Sequence, residues 1–287
     1  MLMIVTAGAV WGTIGLFVRN LSAAGLQSME IAAIRCTVTC VVMLALLAIV
    51  NPKLLKVRLR DVWCFLGTGI CSIVLFTWCY FTCMTLSSLS VAAVLLYTAP
   101  IFVMLMAAVF FRERITRVKV IALVCAFAGC VLVSGVGGNV TPLAVITGLG
   151  AGFGYALYSI FGTFALRRYA TLTVIAYTFL IASIGCVLLC DLGAIGAYVQ
   201  AAPLPNIAYM ILFGVVSCVI PYLLYTKGLE KVEAGKASIL ASVEPVVATL
   251  VGVIVFREAL TVSNACGVLL VLTAIVLLNL KFKKANA

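Results

Sequence analysis

The sequence predicts an all-α integral membrane protein of ten transmembrane helices. They form two inverted five-helix repeats with both termini cytoplasmic. Three observations lead there. First, the 287 residues are 66% hydrophobic and only 9% charged, with a mean hydropathy of +1.31. A water-soluble domain needs about 25% charged residues to cover its surface, so lipid must be the solvent. Second, residues 80–116 recur without gaps as residues 225–261. Tyr80, Ala92, Leu95, Pro100, Phe111-Arg112-Glu113 and Thr116 return as Tyr225, Ala237, Leu240, Pro245, Phe256-Arg257-Glu258 and Thr261. Third, Lys and Arg gather on alternate connections.

Apolar runs of about 20 residues, enough to cross a hydrocarbon core, fall near 2–20, 28–50, 62–83, 89–111, 118–136, 142–166, 172–191, 206–226, 234–256 and 262–281. Asn51-Pro52, Gly137-Gly138-Asn139 and Pro203-Leu204-Pro205 punctuate the breaks. Residues 2–18 follow no basic segment and precede no soluble domain, so they read as the first membrane helix rather than a cleavable signal. The first repeat covers residues 1–137 and the second 138–287.

Even-numbered connections and the C-terminus carry Lys53, Lys56, Arg58, Arg60, Arg112, Arg114, Arg117, Lys119, Arg167, Arg168, Lys227, Lys231, Lys236, Lys281, Lys283 and Lys284. Odd-numbered connections carry Arg19 and Arg257. Cationic loops stay in the cytoplasm, so both ends of the chain are placed there, in the cytoplasmic membrane of the cell. Five helices per repeat is an odd number, so the second repeat must be inverted. The uncharged connection at 84–88 and its charged partner, with Lys227, Glu230, Lys231, Glu233 and Lys236, then face opposite sides. The net charge of +11 is dispersed between apolar runs rather than lining a groove, so no nucleic-acid partner is expected.

The chain has twelve cysteines and no histidine. Cys36/Cys40, Cys79/Cys83 and Cys186/Cys190 are spaced i, i+4, unlike a metal-binding Cys-x-x-Cys. They read as small apolar core residues. No metal or cofactor is expected.

Glu244 is the deepest acid, about ten residues into the ninth helix and about 15 Å from its start. A charge there costs at least about 2.5 kcal/mol on insertion scales. Pro245 has no N–H, so the Ala241 carbonyl loses its helical partner, and Ser238 and Ser242 add polarity. Glu244 is either a protonated acid bonded to a neighbouring helix or a cation- or proton-binding group on a pathway. Arg35, about 10 Å into the second helix, either reaches the outer surface or Glu30, or turns inward to Glu244 or a substrate carboxylate. Trp11, Trp78, Tyr80, Tyr97, Tyr155, Tyr158, Tyr222 and Tyr225 are either interfacial anchors or amphipathic pocket walls. Pro100 matches Pro245, with Ala99 where Glu244 stands. Gly8/Gly12 and Gly148/Gly152 let helices approach closely. The Arg112-Glu113 and Arg257-Glu258 pairs read as helix caps or end-to-end ion pairs rather than gates.

Several of these residues carry a family resemblance. Trp11-Gly12 in the first helix, Arg35 in the second, Pro100 with Glu113 in the fourth, and Glu244-Pro245 with Glu258 in the ninth resemble the drug/metabolite transporter superfamily, specifically its EamA-type exporters. The resemblance covers essentially the whole chain. It implies that helices 1–4 and 6–9 surround a central cavity, with helices 5 and 10 to one side. It also implies transport of amino acids, amines, nucleobase-like metabolites or toxic compounds, by proton-coupled exchange or facilitated export.

The expected function is therefore a secondary transporter for small polar or amphipathic metabolites such as amino acids or amines, with proton-coupled export as one form. Substrate-binding candidates are Trp11, Arg35, Trp78, Tyr80, Tyr97, Tyr155, Tyr158, Tyr222, Tyr225, Ser238, Ser242 and Glu244, with Glu244 also the proton-coupling group. The alternative is a lipid or lipid-linked-sugar flippase on the same fold. An enzyme is not expected, because catalysis needs a second deep acid, base or metal. Expected partners are a small-molecule substrate and membrane lipids; a homodimer is compatible with the sequence.

Overall fold

A computed structural model describes residues 1–135, 141–257 and 259–279. Gly137, Gly138, Asn139, Glu258, Lys281, Lys283 and Lys284 lie outside the described residues, as do the readings placed on them. Among the described residues ten helices are long and apolar enough to cross a membrane: Leu2–Ala23, Ser28–Val50, Leu59–Leu86, Leu89–Phe111, Arg117–Ser134, Pro142–Leu166, Thr171–Leu189, Pro203–Leu229, Ala234–Phe256 and Val262–Asn279. They are spans 1 to 10 in that order. Their outer surface is apolar: Ile49, Val109, Ile146, Leu188 and Ile254 are all more than 60% exposed.

The stretch between spans 7 and 8 departs from the expected loop. It holds a further short helix, Leu192–Ala201. Asp191 caps it by accepting from the Gly193 N–H at 2.8 Å, satisfying one of the donors a helix start leaves open. The Asp191 N–H in turn donates to Glu30 Oε1 at 3.0 Å. Ala194, Ile195 and Tyr198 pack on Leu21, Ile34 and Phe213, so the segment is held to spans 1, 2 and 8 by apolar burial.

Spans 4 and 9 break at the same register. Leu89–Leu96 and Ala99–Phe111 match Ala234–Ala241 and Glu244–Phe256. Pro100 and Pro245 stand in the first turn of each second segment, where a missing N–H is tolerated. Spans 3 and 8 share a wider, π-helical stretch, at Gly67–Val74 and Val215–Val219. Both copies of the Phe-Arg motif end their helix on a left-handed arginine, Arg112 at φ 55° and Arg257 at φ 56°.

The main span-to-span contacts are kept when each span is exchanged for the one five later. Span 1 lies on spans 8 and 9 as span 6 lies on spans 3 and 4; span 2 packs on span 7 and span 5 on span 10. Small residues make this possible. A Cβ at Gly8 would lie 2.7 Å from both Ala241 O and a Val243 methyl carbon, and one at Gly152 would lie 2.5 Å from Thr98 Oγ1 and 3.3 Å from Leu96 O. Ala241 and Val243 are the duplicates of Leu96 and Thr98, so the two glycines make the same contact in each half.

Candidate substrate cavity

A cavity of about 470 Å³ enters from the end that carries the odd-numbered connections. Its wall comes from spans 1, 2, 3, 4, 8 and 9, and Ser22, Ser28, Met84, Leu89 and Phe256 mark its mouth. Arg35 and Glu244 both line it, with Trp11, Phe76, Tyr80 and Phe81. Arg35 is thus turned inward. Among the described residues neither the Arg35 nor the Glu244 side chain forms a hydrogen bond or ion pair, although both residues are only part-exposed. Glu30, the alternative partner for Arg35, instead accepts the Asp191 N–H at Oε1, and its buried Oε2 has no hydrogen-bond partner among the described residues.

Arg35 and Glu244, whose side chains have no hydrogen-bond or ion-pair partner among the described residues, can accept a ligand carboxylate at one and a ligand cation at the other, while Arg19 adds a second guanidinium to the same wall. Aromatic faces between them suit an aliphatic or ammonium moiety. Glu244 reaches this position because span 9 breaks just before it, at Ser242-Val243. Span 1 breaks opposite, between Trp11 and Ile14.

The other candidates divide into three groups. Trp11 and Tyr80 share the main wall with Arg35 and Glu244. Tyr97, Ser238 and Ser242 line a side chamber of about 20 Å³, which also touches Ala99, Tyr155 and Glu244; that is room for about one water. Tyr155, Tyr158, Tyr222 and Tyr225 form the floor. Trp11 packs on Tyr155, Tyr222 and Tyr225 with ring centroids 6.3, 5.2 and 5.4 Å apart, and Tyr222 meets Phe179 edge to face at 4.8 Å. The Tyr158 hydroxyl bonds the Thr226 hydroxyl at 2.6 Å, and that of Tyr225 bonds Ser159 at 2.8 Å. These two phenols are therefore occupied within the protein, and the tyrosine stripes make a plug beneath the cavity.

Trp78 stands apart. It is 52% exposed on the outer surface and is not part of the cavity wall. Residues two apart on a helix do not share a face, so Tyr80 and Trp78 could not both point inward. The sequence reading missed Phe76, Thr77 and Phe81. A helical period counted from Tyr80, which gives Phe76, Tyr80 and Met84, would have found that wall.

Beyond the plug, the end carrying the basic connections is tied shut. Glu113 accepts from the Ala234 and Gly235 N–H groups at 2.8 and 3.2 Å, at the start of span 9, where a carboxylate complements the helix dipole. Buried Lys119 bridges Glu113 at 3.5 Å and Glu233 at 2.6 Å. Asp61 holds Arg168 and the Tyr169 hydroxyl, joining span 3 to span 6. Glu230 accepts from Thr171 and pairs with Lys227 at 2.8 Å. Burial by itself would raise the Glu230 carboxyl, yet Lys227 and Thr171 hold it below the ordinary carboxylate value. Burial and the bond to Asp61 push the Tyr169 phenol up.

A family description, the EamA-like transporter family, matches residues 1–135 and again 142–280. The chain belongs to that family. It is therefore a multi-pass membrane transporter and not an enzyme. An uncharacterized transporter of Archaeoglobus fulgidus is 33% identical over 191 residues, 66% of this chain and 67% of the relative. A second from that organism is 25% identical across 96% of this chain and 94% of its own. The uncharacterized transporter YxxF of Bacillus subtilis is 27% identical across 83% of this chain and 76% of its own. A solved crystal structure superposes at a TM-score of 0.75 over 96% of both chains, at 20% identity, and so shares the fold.

Proposed function

We propose that this EamA-family protein is a secondary transporter that moves small zwitterions or amines, such as amino acids, across the cytoplasmic membrane by alternating access. The observation that carries the reading is the pair of unpartnered opposite charges, Arg35 and Glu244, in one aromatic-walled cavity open to one end. In this reading the two repeats, 1–137 and 138–287, are inverted and rock about the midplane site, and both termini are cytoplasmic. The exchange-symmetric packing supports the inversion, and the loop charges support the orientation. The described conformation is then outward-open. Trp11, Arg35, Tyr80 and Glu244 hold the substrate, and Tyr155, Tyr158, Tyr222 and Tyr225 close beneath it. Glu244 exchanges the proton or cation that drives export.

Counterflow of labelled amino acids and amines in liposomes tests the substrate class. Uptake of a zwitterion that is lost in Glu244→Gln, with folding retained, supports it; wild-type rates from that variant would refute the role of Glu244. Topology is tested separately. A cysteine placed at position 259 reacts with impermeant reagent from outside and one at 114 from inside, and reaction of both from one side overturns the inverted arrangement.

A further inference from the structure

One cationic concavity, of about 710 Å³, lies at the basic end and outside the transport pathway. It is walled by Lys56, Arg58, Arg60, Asp61, Trp63 and Arg168. Four cations thus surround one carboxylate, and that carboxylate is already held: Asp61, 2% exposed, accepts from Arg168 and from Tyr169, the latter at 2.6 Å. The Tyr169 hydroxyl also accepts the Arg58 N–H at 3.2 Å, which fixes the linker carrying the cations. Lys56, Arg58 and Arg60 form no ion pair with any described residue. The charge left over calls for a multiply bonded anion such as a phosphate.

The adjoining surface is apolar rather than wet. Leu59, Trp63 and Leu66, spaced i, i+4, i+7 along the start of span 3, are 92%, 46% and 46% exposed. They form one stripe running from the concavity along the membrane-facing side, with a tryptophan at the boundary where such rings anchor. A soluble phosphate would satisfy the cations and leave that stripe unused. We propose that this concavity binds the headgroup of an anionic phospholipid, with an acyl chain lying along Leu59, Trp63 and Leu66. A lipid seated there would bridge the linker before span 3 to Arg168 after span 6, next to the Asp61 network that helps hold this end closed.

The test is native mass spectrometry and thermal melting of the full-length protein, titrated with phosphatidylglycerol or phosphatidylcholine. Phosphatidylglycerol should bind and raise the melting temperature, and phosphatidylcholine should do neither. Lys56→Gln/Arg58→Gln/Arg60→Gln should weaken phosphatidylglycerol binding by about 10- to 100-fold, as loss of three near-surface cations implies. Arg112→Gln/Arg114→Gln/Arg117→Gln, equal in charge and on the same end, should leave it within about twofold. Equal losses in both triple variants would overturn the proposal, leaving only diffuse attraction. So would equal stabilisation by inorganic phosphate or glycerol phosphate, which would mark a soluble-anion site. If the first triple variant misfolds, Arg60→Gln and Trp63→Ala alone should each reduce occupancy, and wild-type occupancy in both would equally refute the site.

Discussion

At one end of the bundle Asp61 and Arg168 tie span 3 to span 6, Glu113, Lys119 and Glu233 tie spans 4 and 5 to span 9, and Glu230 with Thr171 ties span 8 to span 7. At the other end spans 3, 4, 8 and 9, with spans 1 and 2, surround a cavity of about 470 Å³. The described contacts there run around the rim: Asn20 to Tyr209 at 3.0 Å, Ser263 to the Leu132 carbonyl at 2.9 Å, Arg19 over the Phe256 ring at 3.8 Å. A duplicated chain therefore builds two unlike ends. Duplication fixes where helices bend and touch, whereas the polar residues added to each copy decide which end is latched.

Four experiments break or sharpen that contrast, in falling order of effect. Glu244→Gln should reduce coupled transport by at least about 100-fold, because a buried ionisable group in a binding site is replaced by one that cannot change charge. Counterflow with and without a pH gradient measures it, and retained coupling would move the driving group elsewhere. Arg35→Gln should weaken zwitterion binding by about 10- to 100-fold, as loss of a charge-assisted hydrogen bond predicts, while sparing amines without a carboxylate. Equal losses for both ligand classes would make Arg35 structural.

Glu113→Gln should loosen the latched end by about 1–2 kcal/mol, the worth of a charged helix cap with its ion pair. In a cysteine-depleted background, a cysteine at Ser238 should then react about 5- to 30-fold faster with reagent added from the basic end. No change in rate would mean that this cap does not hold the end shut. The smallest effect belongs to Glu230. Its folded-state value lies below the ordinary 4.5, so its contribution is fully present above about pH 4.5 and is lost as pH falls through the lowered value. Glu230→Gln should therefore lower the melting temperature slightly at neutral pH, flatten the acid side of the profile and meet the wild-type curve at low pH.

Much of the scaffold was legible because the signals are local. Ten apolar runs, alternate basic loops and the repeat at Pro100 and Pro245 each follow from composition or spacing. The helix at Leu192–Ala201 was missed because it is too short to span and is held by contacts with Leu21, Ile34 and Phe213, which are distant in sequence. The site was half legible. Glu244 and Arg35 stood out by the cost of burying charge, and both line the cavity. Trp78 and the tyrosine stripes stood out by type alone, and type does not say which way a ring points.

What the sequence determined by itself was solvent, span number and the duplicated register, since each depends on residues near one another along the chain. Only the tertiary structure decided that Arg35 and Glu244 share a cavity while Tyr158 and Tyr225 spend their hydroxyls on Thr226 and Ser159. Those outcomes depend on how helices from the two copies rotate against each other. That rotation is set by the close contacts at Gly8 and Gly152 and by the breaks in spans 4 and 9, which act across the bundle.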